Sequence, residues 1–253
     1  MKLLLENWRK YLKEDTEPYP YQIYCDMDGV LVDFEATVVD QINADIVDEL
    51  IQTEEMLALR QALARADRPT WEKEAAAGPM KISKYDIKKD IEPRSHLTQV
   101  ARNYMYFRFK NNQDLWATMP WMEGGEELWN YIKGSDPIIL TTPMGEPSRP
   151  GQELDLSPSE LGKREWIKTH LDPIHPPKDI IFSDKKYEYA VTNGRPNVLI
   201  DDFSTNTIPW ATPRHIEGSN EKMSGFAILH TNFKDTKAAL EYIASQAAEK
   251  STS

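Results

Sequence analysis

Five short apolar runs, each passing directly into a polar or acidic residue, set the strongest limit on how this chain can fold. They are residues 21–25 before Asp26, 137–140 before Thr141 and Thr142, 179–182 before Ser183 and Asp184, 197–200 before Asp201 and Asp202, and 225–229 before His230. Apolar runs without strict alternation, rich in Ile, suit strands buried on both faces, as in a parallel sheet. Helical patterns fall between several of them, at 124–133, 158–171 and 236–250. The second opens with Ser157-Pro158-Ser159-Glu160, a capping box with proline at the first helical position. This alternation predicts an α/β fold, a Rossmann-like parallel sheet with helices on both faces. Ligands bind such sheets at the carboxyl ends of the strands, so Asp26, Thr141, Asp184, Asp201 and Asp202 are expected to meet in one crevice.

About a hundred residues separate the first run from the second, too many for a simple crossover. Residues 34–66 read as helical, with Val38, Val39, Ile42, Ile46 and Leu50 recurring at helical spacing, and Pro69, Gly78-Pro79 and Pro93 break the rest into shorter pieces. The chain is therefore divided into an N-terminal segment at 1–18, an α/β core at 19–33 and 121–253, and a mainly helical cap at 34–120 inserted over the crevice. Within the cap, residues 81–112 carry eight Lys or Arg against three acids, a solvated face that would also attract phosphate. Trp71, Tyr104, Tyr106, Phe107 and Trp116 read as cap core, with one or two available to meet a base.

Composition removes several function classes. A net charge of −11 argues against broad binding to a nucleic-acid backbone, though not against a small anion held by a few local cations. One cysteine, Cys25, excludes an intramolecular disulfide framework and a cysteine-based zinc site, and the five histidines show no paired metal spacing. No apolar run approaches the length of a membrane span, so no membrane partner and a cytoplasmic location are expected. The opening MKLLLENWRKYLKE lacks the apolar stretch and cleavage site of a signal peptide. It reads as an amphipathic helix with Leu4, Leu5, Trp8, Tyr11 and Leu12 on one face, either packed on the domain or docking a partner through residues 1–14.

The stretch YCDMDGVLVDFE, residues 24–35, crowds Asp26, Asp28 and Asp33 around Gly29. Carboxylates this close repel one another unless a positive charge sits among them. A calcium loop would need its glycine sixth, and here it falls fourth. A structural turn rich in aspartate would suffice if the stretch stood alone, but it is accompanied by IILTT at 138–142, later lysines, and LIDD at 199–202.

In that order these segments resemble the motifs of the haloacid dehalogenase-like phosphatases: DMDGVLVD the first, IILTT the second, a lysine the third and LIDD the fourth. The resemblance implies that Asp26 is a nucleophile forming an aspartyl-phosphate and that Asp28 is the general acid and base. Thr141, with Thr142, would hydrogen-bond the phosphate. Magnesium, which prefers oxygen ligands shared with phosphate, would be held by Asp26, Asp28 through its main-chain carbonyl, and Asp201 or Asp202. Either Lys163, on the capped helix, or Lys185, in FSDKK, fits the phosphate-neutralising cation, with Lys163 favoured. Asp33-Phe34-Glu35, the cap length and LWATMPWMEGGEELW further resemble the 5′(3′)-deoxyribonucleotidases, which implies a small nucleotide substrate and a base stacked on Phe34. Phe34 as core at the cap junction is an equal reading. Residues 146–157 form a longer tract than that family needs. The N-terminal segment is similar to short leaders on proteins of large tailed phages, which would place the chain in a host cytoplasm.

Overall fold

The computed structural model describes residues 20–78, 80–87, 96–145, 156–215 and 221–251. The N-terminal segment, with its expected helix, and most of the 146–157 tract lie outside the described residues. Each of the five apolar runs forms a strand: β1 (Ile23–Cys25), β2 (Ile138–Thr141), β3 (Asp179–Phe182), β4 (Val198–Asp201) and β5 (Phe226–Leu229). They make one sheet in the order β3-β2-β1-β4-β5, parallel throughout. The fold is therefore a Rossmann-like α/β sheet flanked by helices.

Alternation along the strands divides the core into two layers. Ile23, Cys25, Ile139, Val198 and Ile200 face the larger layer, with Leu128, Trp129, Trp166 and Ile167 from flanking helices. Tyr24, Ile138, Leu140 and Leu199 face the smaller one, closed by Trp210 and Ala190. Burial on both faces is why the three central strands, β1, β2 and β4, lack a polar side, while the edge strands β3 and β5 are only partly buried.

The chain runs from β1 outward through β2 to β3, then crosses back to β4 on the other side of β1. That reversal opens a crevice beyond the carboxyl ends of β1 and β4. Cys25 pairs with both Ile139 and Ile200, so the next residue, Asp26, stands level with Asp201.

Between β1 and β2 lie α1 (Phe34–Val47), α2 (Glu54–Arg65), α3 (Thr70–Ala75), α4 (Lys84–Ile87), α5 (His96–Phe109) and α6 (Gln113–Ala117). The helical stretch expected over 34–66 is two helices. The chain breaks after Val47, and Thr53 starts α2 by accepting a hydrogen bond from Met56 N. Leu50, counted in the periodic face, lies in that turn and is 90% exposed. The outgoing and returning chains are joined at their base: Asp33 N donates to Pro120 O at 3.0 Å, and Met122 N donates to Leu31 O at 2.8 Å. The later helices are α7 (Gly125–Ile132), α8 (Pro158–His170), α9 (Ser204–Trp210) and α10 (Phe233–Ser251). The capping box of α8 is formed, with Ser157 and Glu160 each bonding the other's backbone N–H. No helix among the described residues is long and apolar enough to cross a membrane.

Candidate active site

The loop after β1 sorts its side chains by polarity. Met27, Val30, Leu31 and Val32 are fully buried, and the Met27 carbonyl accepts from Leu31 N and Val32 N at 2.8 and 2.9 Å. With the apolar residues anchored, Asp26 and Asp28 are left at the crevice. Gly29 has φ +72°, and the Asp202 carboxyl packs where a Cβ on Gly29 would stand. Only glycine suits both the left-handed backbone and that contact.

Asp26 is held from two sides. Met27 N donates to its Oδ1 at 2.7 Å, and Lys186 Nζ lies 2.8 Å from its Oδ2. The same ammonium bonds Asp201 Oδ2 at 2.7 Å, so one buried cation bridges the ends of β1 and β4. Burial alone would pull the Lys186 pKa down. The Asp26 and Asp201 carboxylates more than reverse that and hold it above the usual lysine range. Asp201 has no solvent exposure and also accepts from Phe203 N at 2.8 Å and from Asn206 Nδ2 at 3.1 and 3.0 Å.

Crowding still shows in the titration. Burial, then repulsion from Asp26, raises Asp201 to about 6 against the opposing pull of Lys186 and Asn206. Asp202 is exposed as a residue, but desolvation of its carboxyl packed against Gly29, then repulsion from Asp26, Asp201 and Asp28, raises it to about 8. Asp202 has no hydrogen bond or ion pair among the described residues.

On the β2 side, Lys163 projects from α8 into the wall of the crevice. Its Nζ donates to Asp28 Oδ2 at 2.6 Å, Thr141 Oγ1 at 2.9 Å and the Thr142 carbonyl at 2.9 Å. Gly162 makes this approach possible, because a Cβ there would collide with the Gln113 carbonyl and the Trp116 side chain of α6. Thr142 Oγ1 donates to the Ser183 carbonyl at 2.9 Å, tying the end of β2 to the residue after β3.

The crevice encloses a pocket of about 340 Å³, within the range of small-molecule sites. Its lining is polar in Asp26, Asp28, Thr142, Asp184, Asp202 and Asn206 and apolar in Phe34, Ile87 and Met105. Phe34 stacks on Trp116 with ring centres 5.4 Å apart and planes 15° from parallel. Five acids, counting Glu35, line the pocket against a single lysine, Lys186. Carboxylate oxygens of Asp26, Asp201 and Asp202 lie within 4.8 Å of one another. All-oxygen donors at that separation, one of them without a protein partner, suit a hard divalent cation such as magnesium.

The residues singled out in the sequence thus come together: Asp26, Asp28, Thr141, Thr142, Lys163, Asp201, Asp202 and Phe34 all lie in or against the crevice. Lys185 does not. Its side chain is exposed, and the neighbouring Lys186 is the buried one that bonds the acids. The Lys186–Tyr189 turn, entered through Lys185, directs the second lysine inward. Lys163 reaches the crevice as expected, but its ammonium faces protein acceptors and it does not line the pocket. Asn206 was missed. Its signal was an amide one helical turn beyond Asp201-Asp202, where a side chain can reach back to the strand end.

No protein-family model matches the chain, and no curated protein matches it. Among solved structures, it is similar to the crystal structure of a hydrolase from Streptococcus pneumoniae TIGR4, with 13% identity over 87% of this chain and 98% of that one. The TM-score is 0.39, a likeness too slight to bear on function.

Proposed function

We propose that the protein is a magnesium-dependent phosphomonoester hydrolase of the haloacid dehalogenase-like type, working through an aspartyl-phosphate on Asp26. The observation that carries this reading is the placement of Asp26: its carboxylate lies at once beside Asp201 and Asp202, within 4.8 Å, and beside the Lys186 ammonium at 2.8 Å. A nucleophilic carboxylate for phosphoryl transfer needs both, since two anions must meet. A pocket with five acids and one cation would repel a phosphate dianion, so substrate binding is expected to require a divalent cation.

Asp26, Asp201, Asp202 and the Asp28 main-chain carbonyl would hold the magnesium. When bound, it supplies charge that offsets these acids and polarises phosphoryl oxygens. Asp26 attacks phosphorus while Asp28 gives a proton to the departing alkoxide. Asp28 then takes a proton from the water that attacks phosphorus, releasing phosphate and restoring Asp26. Lys186 faces the pocket and balances charge on Asp26 and the phosphoryl group. Thr141 and Thr142 at the end of β2 belong to the phosphate end.

The apolar wall sets the substrate class. Phe34, backed by Trp116, offers a rigid aromatic surface in the pocket that the acids, Ile87 and Met105 also line. A flat ring on the alcohol portion would rest there, and a nucleoside 5′-monophosphate, deoxy by preference, has that shape. The test is magnesium-dependent phosphate release from a panel of phosphomonoesters, with Asp26→Asn as the blank. Activity in that variant equal to wild type would contradict the nucleophile assignment.

A further inference from the structure

Lys163 and Asp28 lie 135 positions apart in sequence yet make the shortest ion pair among the described residues, 2.6 Å. An ammonium has three N–H donors. Asp28 Oδ2, Thr141 Oγ1 and the Thr142 carbonyl, at 2.6, 2.9 and 2.9 Å, use all three. The side chain has no solvent exposure, and the buried Trp116 ring lies 5.2 Å from Nζ. A lysine so saturated has no donor left for a substrate. Lys186, by contrast, lines the pocket.

We propose that Lys163 is a positioning residue, which fixes the carboxyl of Asp28 for proton transfer and does not bind the phosphate. The proposal rests on the assignment of Asp26 as nucleophile and Asp28 as acid. With Oδ2 held by the Lys163 ammonium, the Asp28 carboxyl is fixed in orientation at the edge of the pocket, and its Oδ1 has no hydrogen-bond partner among the described residues. Because Thr141 Oγ1 accepts from Lys163, its own O–H is free to donate elsewhere. In the first step the Asp26–phosphorus bond forms, the phosphorus–oxygen bond to the alcohol breaks, and a proton moves from the Asp28 carboxyl to that oxygen. In the second, water forms its bond to phosphorus, its proton returns to Asp28, and the Asp26–phosphorus bond breaks.

The leaving group separates this role from phosphate binding. A nucleoside 5′-monophosphate releases an alkoxide that needs the proton; p-nitrophenyl phosphate releases a stable phenolate that does not. Lys163→Met, with Lys163→Gln as a milder neutral variant, is compared with wild type in magnesium on both esters, with folding checked by circular dichroism. The expected result is a loss in kcat/KM of about 100-fold or more on the nucleotide and less than about tenfold on p-nitrophenyl phosphate. A rapid release of about one equivalent of nitrophenolate should precede slow turnover, because loss of Asp28 alignment stalls hydrolysis of the aspartyl-phosphate. Inhibition by inorganic phosphate should shift by no more than about threefold in these variants and by about tenfold or more in Lys186→Met. Equal losses on the two esters, or a tenfold weakening of phosphate inhibition in a folded Lys163 variant, would overturn the proposal. Wild-type silence on both esters would instead overturn the phosphatase reading beneath it.

Discussion

Replacing Lys186 with methionine removes the one charge that bridges the two central strands at the crevice. Its ammonium contacts Asp26 Oδ2 at 2.8 Å and Asp201 Oδ2 at 2.7 Å, and both carboxylates are buried. Breaking a buried pair by removing one partner costs about 3–5 kcal/mol, because the other charge is left uncompensated. Here two charges are left, and they face each other. Asp201 is already raised to about 6, so near pH 5 its own protonation relieves part of the strain. The loss should therefore be larger near pH 8 than near pH 5. In a chain of this size it corresponds to a fall in melting temperature on the order of 10 °C. The assay is thermal and urea unfolding in EDTA at both pH values, with Lys185→Met as the control. Lys185 is exposed, so its replacement should stay within about 0.5 kcal/mol of wild type. A Lys186→Met loss below about 1 kcal/mol near pH 8, or an equal effect at Lys185, would refute the assignment of the bridging cation.

In EDTA, Asp201 and Asp202 titrate at about 6 and 8, above their unfolded values, so the folded chain binds more protons than the unfolded one across that window. Stability should therefore fall as pH rises. His170 and His230, lowered by burial, act the other way through the histidine range, so the fall should be clearest from about pH 7 to 8, and added magnesium should raise the melting temperature more near pH 8 than near pH 5; a rise in EDTA from about pH 7 to 8 would contradict this. Gly162→Ala forces a methyl group into α6 and should cost about 1–3 kcal/mol in urea unfolding while lowering turnover through Lys163; an unchanged midpoint would show that the helices are not in close contact. Phe34→Leu should raise KM for a nucleotide by about tenfold and leave that for p-nitrophenyl phosphate within about threefold, measured by steady-state kinetics. Equal changes on both would mean that Phe34 only packs against Trp116.

How much the sequence disclosed depends on which interactions are local. The central strands were legible because burial on both faces leaves no polar positions in β1, β2 or β4 ahead of their final residues, and the partly buried edge strands β3 and β5 from short apolar runs of the same kind. The start of α8 was legible because its cap is complete within four residues, Ser157 to Glu160. The acids at 26, 28, 201 and 202 were legible because strand ends in a parallel sheet share one edge. The choice between Lys185 and Lys186 was not, since adjacent lysines are equivalent in sequence and the turn's phase is set by the surrounding fold. For the same reason the sequence located Lys163 without disclosing that three protein acceptors surround it. Leu50 misled because helical spacing continued past the end of α1 at Val47, into the turn that Thr53 closes by capping a new helix. Asn206 was passed over because an amide after an acidic pair carries no signal until a helix turns it back.

The most direct test of the central claim is phosphate release from 5′- and 3′-mononucleotides, ribo and deoxy, with sugar phosphates alongside, in magnesium and in EDTA. Wild type should release phosphate only with magnesium, fastest from the deoxynucleoside 5′-monophosphates, and Asp26→Asn should fold normally and release none. Release that persists in EDTA, or in Asp26→Asn at the wild-type rate, would contradict a metal-dependent aspartyl-phosphate mechanism at this site.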